Sequence, residues 1–508
     1  VRKTSKLLAV LLALAVLATA CGGSDSETVE ADTSAADSAL ADAQQEAEDF
    51  RAEAEAARAD ALDAQAEADE ARAEAAAANE AAAAAADDGD DAPAPPALPF
   101  EGEIVNVTGP EVAAADWNAI EAAFTILEDE TGMEIIYTGS ADWEDQIDVQ
   151  LAANNPPDIS VFPQPGNLAD KARAGQVQAL PADVLSEVAA QWPAATMAFG
   201  EVDGTQFGVP NKSDLKSLVW HKPARFEENG YDVPQSWDEL LALTDQMIAD
   251  GNTPWCIGIE SGGATGWTFT DWTEDLLLRF ESPEVYDQWV ANEIDFSDER
   301  IVSIFEQILD LWNTPDAVFA TGGSIATTNH SSGPAESLVA DDCMMVRQAS
   351  FFSTRLPEGT SDDVNVFYFP SVDPDVRPVL GAGTLVGAFT DRPAVWEVME
   401  FMGSAAFADA RQISQRAELG GGLSGFNTAN LNVNRDNWAP LEQSFIGILQ
   451  EAAIFRFDGS DLMPQAVGND GFWENATAMV NGEKTPAEAA ADIDAIWASL
   501  AEAEEEEG

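Results

Sequence analysis

Apolar and polar positions divide the chain into three stretches. Leu7 to Ala20 is apolar throughout except for Thr19, with Arg2, Lys3 and Lys6 before it and Cys21 and the polar Gly22 to Asp25 after it. The run is short for a bilayer span, which takes about 20 apolar residues, but it suits an export signal over residues 1–20. From about Thr33 to Ala86 the chain is nearly all Ala, Glu, Asp, Gln and Arg, without Gly or Pro. These are mostly strong helix formers. Glu48 and Arg51, Glu55 and Arg58, and Asp69 and Arg72 place an acid three residues before a base, which supports a helix modestly. Leu40, Phe50 and Leu62 keep no heptad register, so a strong coiled coil is not indicated. Gly89, Pro93, Pro95, Pro96 and Pro99 then break any helix. Residues 21–100 read as an acidic Ala-rich spacer with a Pro-rich collar. The spacer is either a helix of roughly 80 Å, at about 1.5 Å per residue, or disordered.

Beyond the collar the periodicity is that of a folded body, residues 101–508. An apolar strand pattern over Glu103 to Thr108 ends at Gly109-Pro110. Ile120, Phe124 and Leu127 at helical spacing mark a helix from Ala113 to Thr131. Strand, helix and strand patterns follow over Met133 to Thr138, Trp143 to Ala153 and Asp158 to Phe162. Alternating strands and helices predict an α/β fold around a parallel sheet. Ligands bind such sheets beyond the carboxyl ends of the strands. That rule points to Gly109, to Ser140 to Trp143, and to Pro163 to Gly166. All 14 Trp and all 4 Tyr lie at or beyond Trp117, in agreement with the boundary.

Charge narrows the ligand. The chain has 92 acids and 23 bases, a net charge of −69, and the excess is spread through the body as well as the spacer. Such a field repels nucleic acid and anionic lipid and disfavours anionic ligands, but not neutral ones. A salt or solubility adaptation of the surface accounts for the same charge. Three cysteines occur. With Cys21 set aside, Cys256 and Cys343 form an even remainder, which in an exported chain favours one disulfide; two buried free thiols are the alternative. His221 and His330 are the only histidines, which leaves little to activate a catalytic thiol or to build a zinc site.

Ala18-Thr19-Ala20-Cys21 resembles the lipobox of bacterial lipoproteins, in which the cysteine is acylated and becomes the mature N-terminus. One departure is Ala18 where that motif usually has Leu, with Leu17 one step earlier. A plain secretory signal is the alternative. The body resembles the family 1 extracellular solute-binding proteins of ABC importers, the group that includes maltose-binding protein. Asn154 to Gly166 (NNPPDISVFPQPG), Val209 to Met247, Ala340 to Phe351, Arg377 to Phe389, and Phe455 to Pro464 with Phe472-Trp473 carry the likeness, in order. The last segments look like the α-glucoside-type branch. Ser236 before Trp237 is expected to cap a helix.

The resemblance implies a two-lobed, class II-like periplasmic-binding-protein fold. Lobe 1 is expected at about 101–213 plus 380–430, and lobe 2 at about 214–379 plus 431–500. It implies an extracytoplasmic, lipid-anchored monomer that closes on a neutral carbohydrate and docks on ABC permease subunits. No cofactor, metal or nucleic acid is implied. Resemblance and strand ends together select Asp142, Trp143, Gln164, Lys212, Asp214, Trp267, Trp272, Arg347, Gly383 and Asp461 as ligand-binding candidates. Several have a structural alternative. Trp143 suits the core side of its helix, Trp267 and Trp272 suit packing of the second lobe, with stacking on a ligand the favoured reading for Trp267, Lys212 suits a lobe-bridging ion pair, and Arg347 suits an internal salt bridge.

The rival class is a lipid-anchored glycoside hydrolase, which needs two carboxylates at fixed separation. No local motif singles out such a pair. There is no H-E-x-x-H and no Walker A sequence. Gly381-Ala382-Gly383 meets Val386 where a dinucleotide fingerprint needs glycine, and Gly422-Leu423-Ser424 meets Phe426 where a nucleophile elbow needs one.

Overall fold

The computed structural model describes residues 98–507. The signal, Cys21 and nearly all of the spacer and collar lie outside the described residues. Two sheets organise the body. The strands are β1 (Ile104–Gly109), β2 (Glu134–Gly139), β3 (Ile159–Phe162), β4 (Glu201–Val202), β5 (Thr205–Gln206), β6 (Gly208–Leu215), β7 (Leu218–His221), β8 (Trp255–Cys256), β9 (Val318–Phe319), β10 (Met345–Arg347), β11 (Asn365–Tyr368), β12 (Val379–Ala388) and β13 (Phe455–Phe457). The first sheet runs β13-β12-β3-β1-β2, with β6 also paired to β12. The second runs β11-β7-β10-β8-β9, and β4-β5 is a separate ribbon.

The opening elements fall within a residue of the periodicity. β1 pairs in parallel with both β2 and β3, as helical crossovers require. The helix Ala114–Thr131 between the first two strands buries Ile120, Phe124 and Leu127 and stops at Gly132, whose φ of 76° is left-handed. Ser236 caps the helix Trp237–Ala249 by accepting from the Glu239 N–H.

Each sheet has its own core. Val105, Val107, Phe124, Val161 and Val386 lie in one cluster, and Trp255, Trp272, Phe305 and Trp312 in another. The helix Glu299–Asn313 shows why the second core forms. It buries Ile301, Ile304, Phe305, Ile308, Leu311 and Trp312 at helical spacing, and large apolar side chains stabilise by about 1.5–3 kcal/mol each when fully buried. Ala489, Ala490 and Ile493 of the last helix, Pro486–Glu507, close this core.

The chain passes from the first sheet to the second at Lys216-Ser217, between β6 and β7. It returns between β11 and β12. The two passages are stitched together. The Lys216 N–H donates to Leu380 O at 2.8 Å, and the Leu380 N–H donates to Ser217 Oγ at 2.9 Å. β13 lies in the range expected for lobe 2 but is the edge of the first sheet, because Val379, Leu380 and Gly381 pair in parallel with Phe455, Arg456 and Phe457. Trp438 and Ile446, in the same range, pack with Ala408 and Phe426 of the range expected for lobe 1.

Cys256 and Cys343 form a disulfide across 87 residues, with Cα atoms 5.6 Å apart. It ties β8 to the approach to β10. Closing a loop of this length restricts the unfolded chain, so the Cys256→Ser/Cys343→Ser variant is expected to lose about 2–4 kcal/mol in a denaturant titration. A loss under about 0.5 kcal/mol would remove the staple from the account of stability.

Candidate functional site

The carboxyl ends of β1, β2 and β3 face loops of the second lobe across a cavity of about 560 Å³. This size suits a small organic ligand. The first lobe supplies Glu111, Glu144 and Gln164, each just past a strand end. The crossing strands supply Lys212, Asp214 and Lys216 from one side and Ala382, Gly383 and Thr384 from the other. The second lobe supplies Glu260, Trp267, His330, Phe351 and Arg355. Asp458, Ser460, Asp461 and Trp473 complete the wall.

Gln164, Lys212, Asp214, Trp267, Gly383 and Asp461 therefore meet in one place, as a ligand role requires. Lys212 pairs with Asp214 at 3.2 Å on the same strand, so this is not a bridge between lobes. Gly383 lines the cavity, but its missing Cβ is explained by strand packing. A Cβ there would lie 2.3 Å from Lys212 O on β6. Trp267 is half-buried, at 5.0 Å from His330 and 6.0 Å from Phe351 between ring centroids. Its loop depends on Gly266, whose φ of 115° and approach to Trp473 O exclude a side chain.

The other candidates are placed elsewhere. Trp143 is a core residue. It is 2 % exposed, packs edge-on to Phe162 and donates from Nε1 to Ser160 Oγ at 2.9 Å. Trp272 is also core, with its ring among Trp255, Trp312 and Phe369. Arg347 is buried below the cleft, where it bonds Asp271 at 3.0 Å and Asp275 at 2.9 Å. Asp142 is exposed at the N-terminus of the helix Trp143–Ala152, outside the cavity lining and against Gly262 of the opposite loop. For Trp143, Trp272 and Arg347 side-chain direction places the residue in a core or beneath the cleft, and strand-end position alone does not specify direction.

Sequence reasoning missed Lys216, Asp458, Glu144, His330, Phe351, Arg355 and Trp473. Asp458, Trp473, Lys216 and Phe351 lie inside the segments that carry the family likeness, and that was the available signal. His330 lies outside them and reaches the site through tertiary packing.

Lys216 is the electrostatic centre. Its ammonium pairs with Asp271 at 2.8 Å and with Asp458, and it lies 5.2 Å from the Trp267 ring centre. Burial opposes its charge, but Asp271 and Asp458 outweigh burial and hold its pKa well above the usual lysine value. Burial likewise opposes the Asp458 carboxylate, yet Lys216 lowers its pKa to about 2. Burial pushes Asp271 up to about 6 in spite of Lys216 and Arg347. Burial, reinforced by the Asp458 charge, raises Asp461 and Glu274 well above the carboxylate range. Glu274 also accepts from the Gly459 and Ser460 N–H groups at 2.8 and 3.0 Å. Burial lowers His330 to about 4, so its ring is neutral at physiological pH.

The cleft thus offers carboxyl and amide oxygens, a half-open indole and one guanidinium, Arg355, with no carboxylate within ion-pair distance among the described residues. Gln164 Nε2 donates to Glu144 at 3.2 Å, while Gln164 Oε1 is buried without a partner. Among the described residues no group of three or more His, Cys, Asp or Glu is arranged to hold a metal ion.

Residues 110–408 match the family model described as bacterial extracellular solute-binding protein. The chain is 36% identical over 423 residues to the alpha-glucosides-binding periplasmic protein AglE of Rhizobium meliloti, covering 79% of this chain and 88% of that one. It is also 36% identical over 372 residues to the osmoprotective compounds-binding protein GgtB of Synechocystis sp., covering 72% and 85%. Among solved structures, the bacterial solute receptor AcbH overlays with a TM-score of 0.66 at 15% identity, over 78% of this chain and 99% of that one. Maltose-bound MalE3 of T. maritima overlays at 0.61 and 17% identity, over 78% and 100%. A two-lobed cleft of this kind defines a solute-binding protein, and the chain belongs to the bacterial extracellular solute-binding proteins. It is a binder rather than an enzyme.

Removing the Lys216 charge leaves Asp271 and Asp458 buried with less compensation. Lys216→Met is expected to cost about 3–5 kcal/mol of unfolding free energy, read by urea denaturation at pH 7. A change below about 1 kcal/mol would show that the ammonium is not needed to hold the two carboxyls.

Proposed function

We propose that the protein is the ligand-capturing receptor of an ABC importer for a neutral carbohydrate of the α-glucoside class. The observation that carries this reading is the cleft itself. Of the three lysine and arginine side chains on its wall, Lys216 is taken up by Asp271 and Asp458 and Lys212 by Asp214, and Arg355 alone has no carboxylate within ion-pair distance among the described residues. An anionic sugar would therefore meet one cation among a surplus of carboxyls rather than a basic pocket. A neutral sugar has what the walls accept: hydroxyls for Glu144, Gln164 and Asp461, and an apolar C–H face for Trp267. The name of the AglE relative supports the α-glucoside class. The name of GgtB favours a second reading, a small neutral osmoprotective solute.

In this reading the class II-like lobes close on the ligand about the passages at Lys216-Ser217 and at Val379, and the closed monomer is the form that docks on the permease. Glu111 and Asp116 lie toward Arg411, at 3.9 and 3.6 Å, so the acids of that wall are partly balanced from behind. No cofactor has a role. Cys21 carries the lipid that holds the receptor at the outer face of the membrane, and residues 21–100 act as a tether between lipid and body.

Tryptophan fluorescence of the protein, titrated with glucosides, other sugars, polyols and sugar acids, tests the ligand class. A saturable response to α-glucosides and none to sugar acids is expected, and Trp267→Ala is expected to weaken it about tenfold or more. A response confined to polyols would favour the osmoprotective reading, and tight binding of a sugar acid would overturn both. For the anchor, Cys21→Ser is expected to move the protein from the membrane fraction to the soluble fraction. Unchanged fractionation would sink the lipid assignment.

A further inference from the structure

Beneath the cleft the buried cations run out before the buried acids do. Asp271, Glu274 and Asp275 on the helix Trp267–Phe280 and Asp458 and Asp461 at the turn Gly459–Leu462 are all buried. Lys216, Arg279 and Arg347 are the cations packed among them. Lys216 is shared by Asp271 and Asp458, Arg347 by Asp271 and Asp275, and Arg279 pairs with Asp275. Glu274 and Asp461 are left without a cation. Glu274 is held instead by the N–H groups of Gly459 and Ser460, at 2.8 and 3.0 Å. Asp461 has no such support. Its own N–H donates to Asp458 Oδ1 at 3.0 Å, but its carboxyl oxygens receive no hydrogen bond among the described residues. Asp461 is 8 % exposed and lines the ligand cavity.

The surroundings do not supply the missing charge. Lys216 acts on Asp461 from beyond ion-pair distance, while Asp458, Asp271 and Glu144 of the helix Trp143–Ala152 act against its ionisation. The turn also packs on the helices Pro165–Arg173 and Pro283–Val290, on β13 and on the π-helical turn Ala466–Phe472. Those elements add the acids Asp170, Glu284, Asp287 and Asp470 and the phenol of Tyr286, which donates to Phe457 O at 2.8 Å. Their cations Lys171, Arg173 and Arg456 are paired with Asp148, Asp170 and Asp287. Arg355 lines the same cavity but makes no ion pair with Asp461. A carboxyl buried beside a carboxylate, with neither a cation nor a donor, is more stable with its proton on. Burial, reinforced by the Asp458 charge, accordingly raises it well above the carboxylate range.

We propose that Asp461 stands in the cleft as a neutral carboxylic acid and donates its O–H to an acceptor oxygen of the solute. The role rests on the carbohydrate reading of the cleft. A carboxylate only accepts hydrogen bonds, whereas a carboxylic acid also donates one. It therefore selects an oxygen with a free lone pair, such as a ring or glycosidic oxygen, which has no proton of its own to give. A carboxylate at the same place would repel that oxygen. Binding is thereby linked to pH. Rising pH removes the proton, turns the donor into a charge and weakens the complex. A site built on an ionised carboxylate behaves oppositely and gains affinity as pH rises through its pKa.

Infrared difference spectroscopy of the full chain, wild type minus Asp461→Asn, reads the proton directly, because a protonated carboxyl has a C=O stretch that an ionised one lacks. The band is expected at pH 7 in the solute-free protein, and its absence overturns the proposal. Calorimetric titration with maltose between about pH 5 and 9 reads the hydrogen bond. Subtracting the Asp461→Asn profile removes any contribution of Asp271, Glu274 and Glu144. The remaining affinity is expected to hold where the band holds and to fall about tenfold or more where the band is lost. Asp461→Ala, which has no donor, is expected to bind about tenfold more weakly than Asp461→Asn, which keeps an N–H there. Affinity that changes where the band does not, or that survives its loss, overturns the donor role, as does equal binding by the two variants. A wild type that shows the band but binds no maltose brings down the α-glucoside reading of the cleft and the donor role with it, while the proton on Asp461 stands.

Discussion

Lys216 stands where the chain leaves the first sheet for the second, and its ammonium is shared between Asp271 of the second lobe and Asp458 just after the edge strand of the first. Asp271 also accepts from Arg347, Arg347 reaches Asp275, and Asp275 holds Arg279. Ser217, one residue on, donates to Asp275 at 2.7 Å and accepts from the Leu380 N–H of the returning strand. One buried ionic network thus fixes both passages between the lobes and one wall of the ligand cavity. Buried charges are costly unless they are paired and hydrogen-bonded on every side. The near-complete pairing here is what allows so many of them beneath a cleft.

The same network tempers the field of a chain with a net charge of −69 beneath its cleft. The buried acids around Lys216 are of two kinds. Asp458 stays ionised because Lys216 is against it, and Asp461 and Glu274 are driven toward the neutral form by burial beside that charge. The local field is therefore far smaller than the formal count of carboxyls. Hydrogen-bonding capacity is retained, and a polyhydroxylated ligand uses capacity rather than charge.

The fold was legible to the extent that local pattern dictates it. The opening strands and helices, the Ser236 cap and the order of the crossing segments followed from periodicity, turn chemistry and likeness to a family. Among the site candidates, those on the crossing strands and in the C-terminal segment reached the cavity: Lys212, Asp214, Gly383 and Asp461. The aromatic candidates divided. Trp267 faces the cleft, while Trp143 packs on Phe162 and Trp272 turns into the core of the second sheet, because an indole on a helix points wherever that helix packs.

Chain pattern by itself determined which segments become strands and helices and that the body is an α/β protein. It also marked the boundary at the Pro-rich collar, and all of these are properties of neighbouring residues. Tertiary structure alone decided the rest. It brought His330, Phe351 and Trp473 to one cavity from segments far apart in the chain, and it set Arg347 beneath that cavity instead of in it. It also matched Lys216 to two acids, Asp271 and Asp458, that stand 55 and 242 residues away. A charged side chain finds its partner by burial and by direction in space, and neither is written in the spacing of residues along the chain.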